Sequence, residues 1–103
     1  MSTAAETSAR IVSGASLGAT ESADPARCSA AAIEALTGVA GEGFGMTSLA
    51  LDVASAKLGG GDVEVRARAD KRTRSIVFAS AEAWQGEQLV FSAQGLFSRR
   101  EGK

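Results

Sequence analysis

Residues 24–38 read DPARCSAAAIEALTG. Asp24 has a side chain that accepts backbone N–H bonds ahead of a helix, and Pro25 suits the first helical position, where its missing N–H costs nothing. Helix-favouring residues fill the interior. Gly41 and Gly43 offer the left-handed conformation that closes a helix. These signals predict a helix over residues 25–40. With about 100° of rotation per residue, Cys28, Ala32, Ala35, Leu36 and Val39 share one broad face, with Ile33 at its edge. Arg27, Ala31, Glu34 and Gly38 occupy the opposite face. Alanines on the apolar face let other backbone come close to the helix.

Downstream the period changes from helical to alternating. In GMTSLALDVASAKL (residues 45–58) Thr47, Leu49, Leu51 and Val53 fall on one face, and Met46, Ser48, Ala50 and Asp52 on the other. Gly59-Gly60-Gly61 then predicts a turn. DVEVRARAD (62–70) is the cleanest strand, with Val63, Val65, Ala67 and Ala69 opposed to Glu64, Arg66, Arg68 and Asp70. RSIVFASAEAW (74–84) and EQLVFSAQGLFS (87–98) follow, with a two-residue hairpin turn expected at Gln85-Gly86. Strands joined by short turns imply an antiparallel meander. Upstream, ARIVSGASL (9–17) reads as a short strand, and residues 1–8 as a disordered tail before a single domain over 9–103. The expected class is α+β, one long helix wrapped by an antiparallel sheet.

Composition removes several functions. The 103 residues make one domain, with 22% charged residues and a net charge of -1. Lys and Arg are scattered, so the basic stripe of a nucleic-acid binder is missing. Histidine is absent. That removes the usual base at neutral pH, the Ser-His nucleophile pair and the commonest zinc ligand, and no metal or redox cofactor is expected. A single cysteine forms no internal disulfide, which fits a cytoplasmic protein. No apolar run approaches the roughly 18 residues of a membrane helix, and MSTAAETSAR lacks the basic start and apolar block of a secretory signal.

The order of elements, with Gly61-Asp62, the basic turn Lys71 to Arg74, Ile76 to Glu82, Gln85-Gly86 and Gly95-Leu96-Phe97, resembles the hot-dog fold. The resemblance is to acyl-CoA thioesterases of the phenylacetate-degradation and 4-hydroxybenzoyl-CoA type, and it is carried by the last 45 or so residues. It implies a dimer or tetramer acting on an acyl-CoA thioester, with coenzyme A as part of the substrate. Members of the phenylacetate type open the central helix with His-Gly-Gly and place an Asp farther along it. Here Cys28-Ser29-Ala30 and Thr37 stand at those positions. Other hot-dog thioesterases keep a helix Glu as base or nucleophile, and Glu34 lies one turn before Thr37.

Each candidate has two readings. Glu34 is either a general base acting on water or a solvated helix charge. Thr37 orients a water, or bonds back to a helix carbonyl. Cys28 is a thiolate favoured by the helix N-terminus, or a small buried hydrophobe. Ser29 polarises a carbonyl, or only spaces helix from sheet. Lys71, Arg72 and Arg74 hold coenzyme A phosphates, or keep a turn soluble. Trp84 reads as a sheet or interface anchor. GEGFG (41–45) follows a helix, so it terminates that helix and does not cradle phosphate. The rival to the enzyme is a catalytically incomplete hot-dog protein that binds acyl-CoA or another small ligand, or serves as a structural module. A third possibility is a helix-plus-sheet binding module of the cystatin or nuclear-transport-factor type.

Overall fold

A computed structural model describes residues 7–18, 23–54 and 57–100. The cap at Asp24 works as its sequence dictates. Helix α1 (Pro25–Ala40) begins where the Asp24 carboxylate accepts the Arg27 N–H at 3.0 Å. It ends at Gly41, with φ at 93°, whose N–H donates to the Thr37 carbonyl at 3.2 Å. Ahead of α1 come strand β1 (Thr7–Ser13) and a 3-10 turn (Gly14–Ser16). After it come β2 (Phe44–Val53), β3 (Asp62–Arg72), β4 (Ile76–Gln85) and β5 (Gln88–Arg99). Thr7 and Ser8, expected in the tail, pair with Arg68 and Ala67 inside β1. The rest of that expected tail, residues 1–6, lies outside the described residues.

The five strands form one antiparallel sheet in the order β1-β3-β4-β5-β2. The expected meander is therefore confined to β3-β4-β5. Strand β2 pairs with β5, because the connection from Ala54 to Gly61 is a crossover and not a hairpin turn. Hairpin loops usually hold two to five residues, whereas eight can reach about 26 Å, well beyond the roughly 14 Å of three strand spacings. Side chains at the β4-β5 hairpin hold this crossover in place. The Gln85 amide donates to the Gly59 and Gly61 carbonyls at 3.0 and 3.1 Å and accepts the Gly59 N–H at 2.9 Å. The Gln88 amide donates to the Lys57 carbonyl, and Leu58 is buried beneath. Gln85 thus stays in strand pairing with Gln88, and the hairpin turn is Gly86-Glu87, one residue beyond the expected position.

Helix α1 packs against all five strands. Cys28, Ala32, Ala35, Leu36 and Val39 are buried as the periodicity predicts, with Ala40 added. They face Val63, Val65 and Ala67 of β3 and Ala79, Ala81 and Ala83 of β4. Phe91 and Phe97 of β5 supply most of the bulk.

Two bulges change which residues face the helix. In β2 the register shifts between Met46 and Ser48. Met46 consequently packs on the core with Leu49, Leu51 and Val53, whereas Thr47, expected among them, is exposed and donates its hydroxyl to the Leu96 carbonyl. In β3 the register shifts between Ala69 and Lys71, so Lys71 pairs with outward Phe78 and Arg72 with buried Val77. Arg72 turns toward the helix and donates to the Val39 and Ala40 carbonyls at 2.8 and 3.1 Å. Its guanidinium lies 5.8 Å from the Phe44 ring centre, and that of Arg99 lies 5.2 Å from the same ring. A cation on the last helical carbonyls satisfies acceptors that lack an intrahelical donor and stabilises the helix by about 0.3–1 kcal/mol.

The 3-10 turn touches the crossover so closely that a Cβ on Gly14 would sit 1.9 Å from the Gly59 carbonyl oxygen. The Gly14 N–H donates to the Gly61 carbonyl at 2.8 Å, so the turn has no room to retreat without losing that bond. Gly14→Ala is expected to destabilise the fold by about 1–3 kcal/mol through overpacking. Chemical denaturation checks it, and an unchanged midpoint would refute the contact.

Candidate functional site

The outer face of α1 is left uncovered by the sheet. Together with β1 and the 3-10 turn it forms a trough of about 790 Å³. Small and apolar groups make most of its walls, among them Val12, Leu17, Ala30, Ala31 and Ile33, and Ser16, Arg27, Glu34 and Thr37 supply the polar groups. Burial of Cys28, Ala32, Ala35, Leu36 and Val39 against the sheet sets the rotation of the helix and so determines which side chains face the trough. Arg27 extends from the first turn to donate to the Ala15 carbonyl at 3.4 Å, tying helix to 3-10 turn.

Glu34 and Thr37 therefore line one cavity, as their spacing suggests. The Glu34 carboxylate sits 3.2 Å from the Arg10 guanidinium, with side chains 67% and 46% exposed. In this solvated setting the pair contributes at most about 1 kcal/mol, and it opens readily. Arg10 was missed in the sequence. Its signal was the alternation of β1, which puts Arg10 and Val12 on the helix side opposite Val65 and Val63. That alternation was masked by the serines and glycine of the same stretch.

The other candidates lie elsewhere. Cys28 is fully buried on the inner face, where desolvation, followed by the nearby Asp24 charge, raises its thiol pKa. Such a thiol stays protonated, which is the small-hydrophobe reading and not the thiolate. Ser29 is half-buried and outside the trough lining. Lys71, Arg72 and Arg74 also lie outside it, around the β3-β4 turn, with Arg72 directed to the helix end. At the helix start Pro25 has no N–H, and those of Arg27 and Cys28 go to the side chain and carbonyl of Asp24.

No family model matches the chain, and no curated protein does. Solved structures do. A Ralstonia eutropha protein described as a thioesterase and as related to phenylacetic acid degradation superposes with a TM-score of 0.71 at 18% identity, over 89% of this chain and 74% of that one. The PaaI protein of the Escherichia coli phenylacetic acid degradation operon gives 0.75 at 15% identity, over 93% and 72%. A Mycobacterium tuberculosis protein described as an esterase gives 0.81 at 13% identity, over 96% and 87%. The chain has the hot-dog fold. In this hot-dog domain the central helix keeps its inner face for packing and turns a carboxylate outward into the trough. Identities this low establish the fold alone, so the chemistry rests on the residues.

Burial of Cys28 has a pH signature. In the unfolded chain its thiol ionises near 8.5, whereas the folded thiol holds its proton to higher pH. Above the unfolded pKa the unfolded state releases a proton that the folded state retains, so folding stability falls as pH rises toward the folded pKa. Cys28→Ala is expected to flatten this decline above about pH 8.5. Denaturation midpoints across that range check it, and identical slopes for the two proteins would refute it.

Proposed function

We propose that this hot-dog domain binds and hydrolyses a small acyl thioester in the trough on the outer face of α1. The observation that carries the reading is a single carboxylate, Glu34, on the wall of a trough lined mainly by small and apolar residues, with Ser16, Arg27 and Thr37 as its other polar groups. A thioester has the complementary form, an apolar acyl chain next to an electrophilic carbonyl. Glu34 takes a proton from a water held by Thr37, and the resulting hydroxide attacks the thioester carbon. The C–S bond then breaks, the leaving thiolate receives the proton back from Glu34, and the products are a carboxylic acid and a thiol. Arg10 has to swing aside for Glu34 to act, which an exposed ion pair permits.

The same ion pair favours a second reading, a ligand-binding module without turnover. Glu34 is then a positioning charge, and Arg10 together with Arg27 receives the acid end of a ligand. The carrier in either case is coenzyme A, with Lys71 and Arg74 at its phosphates. Arg72 is engaged with the helix end and with Phe44. Assembly into a homodimer is part of the proposal. β2 is an edge strand of the sheet, and a second copy adding there extends the sheet. A cytoplasmic location agrees with the lone reduced cysteine, and among the described residues no helix is long and apolar enough to cross a membrane.

With a panel of acyl-CoA thioesters, Glu34→Gln is expected to lower kcat by roughly 100-fold or more while KM changes little, because it removes a base and not a binding contact. Turnover equal to that of the unsubstituted protein would end the catalytic assignment, and binding without turnover in both would establish the module. The phosphate assignment has its own check. Replacing Lys71 and Arg74 with alanine is expected to weaken an acyl-CoA by about 10-fold yet leave the matching acyl-pantetheine, which lacks the nucleotide, unaffected. Equal losses for both, or none, would refute it.

A further inference from the structure

Along α1 the trough runs from Arg27 in the first turn to Gly38 near the last, with Glu34 between them. Arg27 and Glu34 are seven residues apart on one helix face, which separates their backbones by about 10 Å along the axis. Ala30 and Ala31 lie between the two, and Val12 and Leu17 add apolar surface from outside the helix. Among the described residues Arg27 is the one cation in this lining. Its guanidinium donates to the Ala15 carbonyl at 3.4 Å and has no carboxylate partner among the described residues, whereas Arg10, Arg66 and Arg68 each face an acid. The Asp24 carboxylate accepts the Arg27 backbone N–H instead. A guanidinium carries several N–H donors in a planar fork, so after the Ala15 bond there is room for both oxygens of a carboxylate. Ser16 gives its hydroxyl proton to the Ser13 carbonyl at 2.7 Å, which leaves Arg27 as the donor side chain beside the 3-10 turn. The other end of the helix meets the β3-β4 turn, where Arg72 donates to the Val39 and Ala40 carbonyls.

Resting on the trough as a thioester site, we propose that Arg27 receives a terminal carboxylate of the acyl chain, so that the preferred substrate is the monothioester of a medium-length dicarboxylic acid. Direction favours this role. With the phosphates of the carrier at Lys71 and Arg74, the thioester reaches Glu34 from the C-terminal end of α1. The acyl chain then continues over Ala30 and Ala31 toward the first helical turn, and its far end meets Arg27. Alkyl carbons suit the alanines, and a carboxylate suits the cation beyond them. Length comes from the same geometry. Of the roughly 10 Å between the two positions, one hydrogen bond belongs to Arg27 and one water stands before Glu34. The remainder matches a glutaryl or adipyl chain, whereas a malonyl chain is too short. Arg10 faces Glu34 itself, so an acid held there would favour malonyl instead. Hydrolysis adds the hydroxyl of water to the acyl carbon and its proton to the leaving sulfur, and releases the free dicarboxylate and the thiol.

Adipyl-pantetheine and hexanoyl-pantetheine, equal in carbon count and without the nucleotide, test the assignment, with circular dichroism confirming that each variant is folded. The unsubstituted protein is expected to show a kcat/KM at least about 10-fold higher for adipyl, carried by KM, since a charge-assisted bond remote from the carbonyl acts on binding. Arg27→Gln is expected to bring the ratio of the two close to one, and Arg27→Lys to retain part of it. Arg27→Glu is expected to shift the preference to ω-aminohexanoyl-pantetheine. Glutaryl is expected to gain over pentanoyl as adipyl does over hexanoyl, and malonyl not to gain over propionyl. Equal kcat/KM for adipyl and hexanoyl would overturn the role of Arg27 while leaving hydrolysis at Glu34 intact. A preference that survives Arg27→Gln, or one as large for malonyl, would overturn it too and assign the acid to Arg10. Absence of turnover with every thioester would end the hydrolytic reading, and calorimetric binding then decides the role of Arg27. Adipyl-pantetheine bound at least about 10-fold tighter than hexanoyl-pantetheine, with the difference lost in Arg27→Gln, supports the carboxylate anchor. Equal binding of the two, or none, overturns it.

Discussion

Close approach between one alanine-rich helix face and a curved sheet is the constraint from which the rest follows. Ala32 and Ala35 on α1 meet Ala67, Ala79, Ala81 and Ala83 across the interface, so helix and sheet backbones come together with little side-chain volume between them. Packing to native density then needs a few large groups where the surfaces diverge, and Phe91, Phe97, Leu36, Leu17 and Leu58 supply them. Leu17 and Leu58 belong to connections, and the other three to α1 and β5. Leu17 closes the approach to the helix, and Leu58 lies under the crossover. The sheet wraps the helix because the contact surface is made of small side chains.

The same division separates the two faces of α1. Its inner face is dry, which keeps Cys28 protonated, while its outer face carries Glu34 in water beside Arg10. The polar groups that structure the domain are mostly main-chain acceptors met by long side chains from elsewhere. Arg72 ends the helix, Arg27 holds the 3-10 turn, and Gln85 holds the crossover. Such bonds hold the connections, the parts of a small domain with least apolar burial to hold them.

Helix α1 was fully legible, because its signals are local: a cap at Asp24, a proline after it, a period of 3.6 and a glycine at the end. Strand alternation was legible too, and with it the hot-dog resemblance. Register was not. A bulge shifts alternation by one residue without a composition mark, so Thr47 was assigned inward and Arg72 grouped with Lys71 and Arg74 as one basic cluster. The crossover was hidden for a related reason. Three glycines signal a bend but not how far the chain travels after it, and the partners that settle the path, Gln85 and Gln88, are more than twenty residues away. At the trough, Glu34 and Thr37 could be placed together because one helix carries both, whereas Arg10 comes from a strand whose pairing only the folded sheet reveals.

The strand order also separates early from late events in folding. The β3-β4-β5 meander holds its pairings between neighbours in sequence, while β1 reaches from Thr7 to Arg68 and β2 from Phe44 to Arg99. Closing long loops costs entropy before it returns contacts, so the meander can form alone and the two edges join afterwards. An edge that joins last is also the first to loosen. The trough has Val12 of β1 in one wall, so its width depends on the shortest pairing in the sheet, the seven residue pairs between β1 and β3.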